Sequence, residues 1–202
     1  MKRSVRMLRL ALFAAVGSVV TASAGIASSP GGRFAVEPLG RASCAEFSAA
    51  HKAHDVREAP LISFAEGYIT AANRYETNTF DLAPWHTVGG IGMLLDRYCQ
   101  ANGNVPLIAA LGKMVAALRP LRLADSSPLL EIADGTKKVH VYEMILKRAQ
   151  ANLRQRGLFA GTEDGHDSPQ LRSALRSFQT TAKFPPTGLP DAATLWILLS
   201  PA

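Results

Sequence analysis

The sequence predicts an all-α protein, a small helical bundle followed by a three-helix unit. From Cys44 onward apolar residues recur at three- and four-residue steps, and no stretch shows a run of alternating strand residues. Pro, Gly, Asn and Ser fall at helix-length intervals, where helices start and stop.

The first 24 of the 202 residues run from Lys2, Arg3, Arg6 and Arg9 through an apolar stretch, Leu10 to Val20, to Ala22-Ser23-Ala24. This is the layout of a secretory signal peptide, residues 1–24. An uncleaved anchor is the competing reading, but the apolar run falls short of the ~20 residues a membrane-spanning helix needs. Cleavage after Ala24 leaves a periplasmic chain with no stable membrane insertion. The net charge of +6 then drops to +2, with 18 Lys+Arg against 16 Asp+Glu. A near-neutral chain of that kind lacks the basic footprint of a nucleic-acid-binding protein, so no nucleic acid is expected as a partner.

Residues 25–42 are rich in Gly, Pro and Ser and read as a flexible linker. A first unit follows at 43–118. Phe47, Ala50 and His54 share a face of a short helix, and Leu61, Ile62, Ala65, Ile69 and Ala72 form the stripe of a second. A third stripe joins Trp85, Val88, Ile91, Leu95 and Cys99 and ends at Asn102-Gly103, a pair suited to a left-handed C-cap. A fourth helix starts near Pro106, aligns Leu107, Leu111, Val115 and Leu118, and stops at Pro120. Each helix has one stripe to bury, so the four are expected to pack together.

The chain has two cysteines, Cys44 and Cys99. In an oxidising compartment one disulfide is the simplest inference, and it would staple the first helix to the third. Closing such a loop stabilises a fold by roughly 4 kcal/mol in the chain-entropy model. Two free buried thiols and a metal pair are the alternatives, the latter with poor zinc spacing.

Residues 119–137 carry Pro, Ser, Asp and Gly at punctuating positions and read as a linker between two units. In the unit at 138–202, Tyr142, Leu146, Ala149 and Leu153 mark a helix ending before Gly157. Ser168-Pro169 opens a second helix with Leu171, Ala174, Leu175 and Phe178, and a third follows Pro186-Thr187-Gly188 with Asp191 in its first turn. Gly157, Gly161, Gly165 and Gly188 permit tight turns, Asp164 can bond its own turn, and Phe159, Phe178 and Leu195 suit a core.

The order Gln150, Leu153, Gly157-Leu158-Phe159, Gly161, Asp164-Gly165, Ala174-Leu175, Phe178-Gln179, Thr187-Gly188-Leu189, Asp191 and Thr194 resembles the peptidoglycan-binding-domain-like module, over about residues 138–200. The resemblance implies a three-helix fold, peptidoglycan as partner, and a motif of Gly157, Phe159, Gly161, Asp164, Gly165, Phe178, Gln179, Thr187, Gly188, Asp191 and Thr194. This chain departs from the family at His166-Asp167-Ser168-Pro169, where an aromatic, a glycine and a threonine are usual. More loosely, Cys44-Ala45-Glu46-Phe47, Phe64 to Ile69 with Ala72-Asn73, and Tyr98-Cys99 with Asn102 look like the HdeA-like small helical periplasmic domains. That likeness implies a disulfide-tied helical fold at 43–118 and a periplasmic protein partner. Acid-stress chaperones and amidase-immunity proteins share such a pattern.

Little in the chain points to catalysis. His51, His54 and Asp55 lie three and four residues apart, as metal ligands on a helix do, but a solvated helix end explains them equally. His86 and His140 stand alone. Glu66 and the two cysteines lack a base partner by spacing. With no nucleophile-elbow, zinc-protease or phosphate-loop motif and no length for a catalytic domain, the expectation is a non-enzymatic protein with no cofactor, no metal site and no catalytic residue.

Overall fold

The structure, a computed structural model, describes Ser29, residues 32–85 and residues 87–200. The expected signal peptide and His86 lie outside the described residues. The chain divides into two compact units, Met1–Ala35 and Val36–Ala202. Of the first, a local turn is described in which Gly32 N–H donates to the Ser29 carbonyl at 2.8 Å and Ser29 Oγ to that of Arg33 at 2.6 Å.

The second unit opens with α1 (Pro38–Arg41), α2 (Cys44–Ala53), α3 (Glu58–Tyr75), α4 (Val88–Ala101) and α5 (Leu107–Leu118). Residues 38–41, expected within a flexible linker, thus form a helical turn, with Gly40 pressed so close to Phe64 and Val36 that a Cβ would meet each at 2.8 Å. The predicted stripes of α2, α3 and α5 form one buried cluster: Phe47 and Ala50, Leu61, Ile62, Ala65 and Ile69, and Leu107, Leu111, Val115 and Leu118. Cys44 and Cys99 are joined in a disulfide within this cluster. Ser43 starts α2 through a reciprocal capping box, its side chain accepting from Glu46 N–H while the Glu46 carboxylate accepts from Ser43 N–H at 2.6 Å.

Three local expectations are corrected here. His54 does not continue the α2 stripe but ends the helix in the left-handed region, φ +49°. Asn102 has φ −136°, not a left-handed cap, because the chain after α4 turns to serve α2: the carbonyls of Gly103 and Val105 accept the N–H groups of Ala45 and Cys44 at 2.9 and 2.8 Å. Those N–H groups lie in the first turn of α2, where no intrahelical partner exists. Trp85 leaves the α4 stripe and is buried in a second cluster with Leu123, Ile132 and residues of the C-terminal helices.

The all-α expectation is also corrected: the chain is mostly helical with a two-stranded antiparallel sheet. β1 (Leu129–Asp134) and β2 (Lys137–Tyr142) pair with Leu130 opposite Val141 and Ile132 opposite Val139. One face buries Ile132 and Val141, while Lys138 and Glu131 join at 2.8 Å on the other. Gly135, at φ +58°, begins the two-residue connection, and glycine there meets the twist of a tight hairpin. The hairpin leads directly into α6 (Glu143–Gln155), followed by α7 (Pro169–Thr181) and α8 (Ala192–Leu199).

Residues 119–123, expected as the start of a linker, hold the two clusters together. After a 3-10 turn at Arg119–Leu121, Leu123 is buried and pairs with Asp81, its N–H donating to the Asp81 carbonyl at 2.8 Å. Arg148 of α6 donates to the carbonyls of Leu121 and Arg122 at 2.7 and 3.0 Å. The indoles interlock the two sides: Trp85 lies in the second cluster, while Trp196 of α8 packs against the first. No described helix is long and apolar enough to cross a membrane.

Candidate functional site

Two buried glutamines organise the C-terminal helices. Gln150 of α6 accepts the Gly165 N–H at 2.7 Å and donates through Nε2 to Asp164 Oδ1 and the His166 carbonyl, both at 3.0 Å. Gln179 of α7 accepts the Gly188 N–H at 2.8 Å and donates to Thr187 Oγ1 at 3.1 Å, the Leu189 carbonyl at 2.9 Å and Thr194 Oγ1 at 3.0 Å. Each carboxamide therefore stands in for a missing strand partner of the following turn. Both glycines have positive φ, and a Cβ on Gly165 would meet the Glu143 backbone carbonyl at 2.7 Å. Glycine is required there by conformation and by space.

The two turns share one construction. The residue before each glycine, Asp164 or Thr187, accepts from the N–H two residues on, at 2.9 and 3.2 Å. Three residues after each glycine stands an N-cap: Ser168 accepts from Leu171 N–H at 3.1 Å and Asp191 from Thr194 N–H at 2.8 Å. The hydrogen bonds of His166 N–H and Gln150 hold the Asp164 carboxyl below its ordinary pKa. Of the residues at the departure from the family pattern, Asp167 pairs with Arg172 at 2.6 Å and His166 is exposed. Arg172 also donates to the Ala133 carbonyl at 2.9 Å, tying α7 to the hairpin.

Between the α6–α7 connection and α7 lies an open groove of about 350 Å³, within the size range of ligand sites. Its floor is Phe159, buried, and Ala174; its outer wall is Gln170, Ser173 and Ser177 of α7, and Leu158 and Gly161 form the rim. Gly157 at φ +72° ends α6, with Leu158 N–H returning to the Leu153 carbonyl at 2.9 Å and Gly157 N–H to that of Arg154 at 2.9 Å. Arg154 then pins the rim by donating to the Gly161 carbonyl and pairing with Glu163 at 2.5 Å. Gly161 lies against the Phe159 ring, where a Cβ would stand 2.6 Å away. The lining is uncharged, with hydroxyl, carboxamide and main-chain groups around an apolar floor. Such a surface suits an amide- and hydroxyl-bearing ligand.

Residues 145–198 match the family model described as "Putative peptidoglycan binding domain". The C-terminal module is peptidoglycan-binding-like. The match runs from Ile145 in α6 to Leu198 in α8 and does not extend to residues 43–118. Comparison with curated proteins and with solved structures gives no match. The peptidoglycan-binding-like module and the disulfide together indicate an extracytoplasmic protein.

Of the motif residues, Phe159 and Gly161 line the groove and Gly157 shapes its rim. Asp164, Gly165, Gln179, Thr187, Gly188, Asp191 and Thr194 are engaged within the two turns, and Phe178 is buried in the core. The polar residues that line the groove, Gln170, Ser173 and Ser177, were not among those expected. Their spacing of three and four on one helix face was the available signal.

In the first bundle, His51 and His54 share the Glu58 carboxylate at 2.7 and 3.3 Å, and Asp55 pairs with Arg57 at 2.5 Å. The bond from His51 is the main reason Glu58 lies below its ordinary pKa. Among the described residues no group of three or more His, Cys, Asp and Glu converges as a metal site.

Proposed function

We propose that this is an exported, non-enzymatic cell-envelope protein that binds peptidoglycan through the groove between residues 158–161 and α7. The uncharged, polar-walled groove within the family-matched module carries the proposal. The main-chain-binding glutamines keep the module's turns in place, and the pinned rim holds the groove open. The matching experiment is co-sedimentation of the mature full chain with purified sacculi, beside variants Ser173→Arg and Ser177→Arg that obstruct the outer wall. Retention of the wild type with loss in both variants is the expected result; equal retention of all three sinks the assignment of binding to this groove. Full-length variants are preferable to removal of residues 138–202, because that truncation strips the surroundings of buried Trp85.

A second reading, an acid-stress chaperone or amidase-immunity-type inhibitor with a degenerate wall-binding module, draws on the His51–Glu58–His54 cluster in the disulfide-tied bundle. Protonation of Glu58 at low pH removes the negative charge that draws His51 and His54, at the end of α2, to α3. Suppression of client aggregation at low pH, measured by light scattering, or a stable complex with a wall amidase would support this reading over wall binding.

A further inference from the structure

The repeat of the two glycine turns predicts a second groove. Counted from Gly165 and Gly188, the α7 residues Gln170, Ser173 and Ala174 of the first groove correspond to Ala193, Trp196 and Ile197 of α8. Counted instead from the helix ends, Leu158, three residues after α6, corresponds to Phe184, three residues after α7, and the N–H of each returns to the carbonyl five residues back, at 2.9 and 2.8 Å. Ala193, Trp196, Ile197 and Phe184 do line a groove, of about 230 Å³, closed on its far side by Met93 and Arg97 of α4. The polar wall of the first groove is thus replaced by an apolar one. Among the described residues lining it, Arg97 is the one charged group and no carboxylate is present.

We infer that this α4–α8 groove is a second binding site, for a small apolar molecule bearing a carboxylate. The apolar walls take the hydrocarbon, and Met93 and Ile197, 63% and 46% exposed, have apolar surface left to cover. Arg97, which lines the same groove, supplies the complementary charge, and a guanidinium pairs with a carboxylate through two parallel hydrogen bonds that a neutral head group does not match. The site is independent of wall binding, since it shares no lining residue with the first groove.

Sodium hexanoate, hexanol and hexylammonium are the probes, titrated into the mature full chain while the indole N–H signals of Trp196 and Trp85 are followed by NMR. Hexanoate is expected to shift Trp196 and leave Trp85 in place. Arg97→Gln should weaken hexanoate about tenfold, to the level of hexanol, the size of effect of a charge-assisted bond. Ala193→Phe, at an exposed position, should fill the groove and abolish the response, with sacculus retention unchanged in both variants. Absence of a Trp196 response overturns the inference. So does hexanoate binding that Arg97→Gln leaves intact, or a preference for hexylammonium. A concentration-dependent dimer that Ala193→Phe abolishes would instead assign the groove to a second copy of the chain.

Discussion

Gln150 and Gln179 play the same part in successive helices, each accepting the N–H of a positive-φ glycine in the turn that follows, Gly165 at 2.7 Å and Gly188 at 2.8 Å. Both side chains are buried, at 1% and 0% exposure, so neither bond has water as a substitute. Replacing either by leucine strands a buried N–H and the acceptors around it. Each substitution should destabilise the protein by about 2–4 kcal/mol. Urea unfolding monitored by circular dichroism would read this, and a loss below 0.5 kcal/mol (about the level of a neutral surface change) would remove the glutamines from their organising role.

The glycines separate conformation from space. Around Gly157, with φ +72°, a Cβ would meet nothing within 4 Å, whereas at Gly165, with φ +80°, it would meet the Glu143 carbonyl at 2.7 Å. Gly157→Ala should therefore cost about 1 kcal/mol from the left-handed conformation alone. Gly165→Ala should cost more, because backbone must move as well. Equal losses in thermal unfolding would contradict the close approach.

Interlocked tryptophans predict shared cooperativity. Trp85→Ala should remove about 3–5 kcal/mol, the usual loss for a large buried aromatic. The damage should appear in the C-terminal cluster, where Trp85 is buried, although Trp85 precedes α4 in the chain. Hydrogen exchange would show faster opening of α6 amides in this variant than in the wild type, and acceleration confined to α2 and α3 would contradict it.

Asp81 and Glu76 predict opposite pH effects. Burial pushes the Asp81 carboxyl above its ordinary 3.8, despite bonds from Ala83 N–H, Asn73 and the Tyr142 hydroxyl. Its native state binds the proton more tightly, so its contribution is fully present below 3.8 and is lost as pH rises through the higher folded value. The Arg119 guanidinium instead holds Glu76 below its ordinary 4.5, so that contribution is present above 4.5 and is lost as pH falls. Asp81→Asn should flatten the stability decline just above 3.8, and Glu76→Gln the decline below 4.5. Melting temperatures across this range would show both, and a change of the same sign in each variant would contradict the assignment.

The disulfide closes a loop with its ends 55 residues apart. Cys44→Ser with Cys99→Ser should lower stability by about 4 kcal/mol in the chain-entropy account. Denaturant midpoints with and without reductant should differ for the wild type and coincide for the double variant.

The helix stripes of α2, α3, α5, α6 and α7 were legible because apolar periodicity is a local property, and so were Ser168-Pro169 as a start and Gly157 as a stop. The hairpin was harder to read. Its strands are six residues each, half exposed, and their Gly and Asp resembled linker punctuation. Asn102-Gly103 suited a left-handed cap, yet the N–H groups that begin α2 draw the chain elsewhere. The groove residues Gln170, Ser173 and Ser177 have no individual signature; only the chain folding back over Phe159 gives them a shared space.

By itself the sequence determined which segments become helices, where most of them end, and that the last third resembles a peptidoglycan-binding module. Those properties depend on residues within a few positions of one another. The tertiary structure alone decided that Trp85 belongs to the second cluster and Trp196 to the first, that residues 129–142 pair as strands, and that one glycine-turn groove stays polar while its counterpart meets α4. These depend on which apolar surfaces meet once each helix has buried its own stripe, a choice made by packing between residues far apart in the chain.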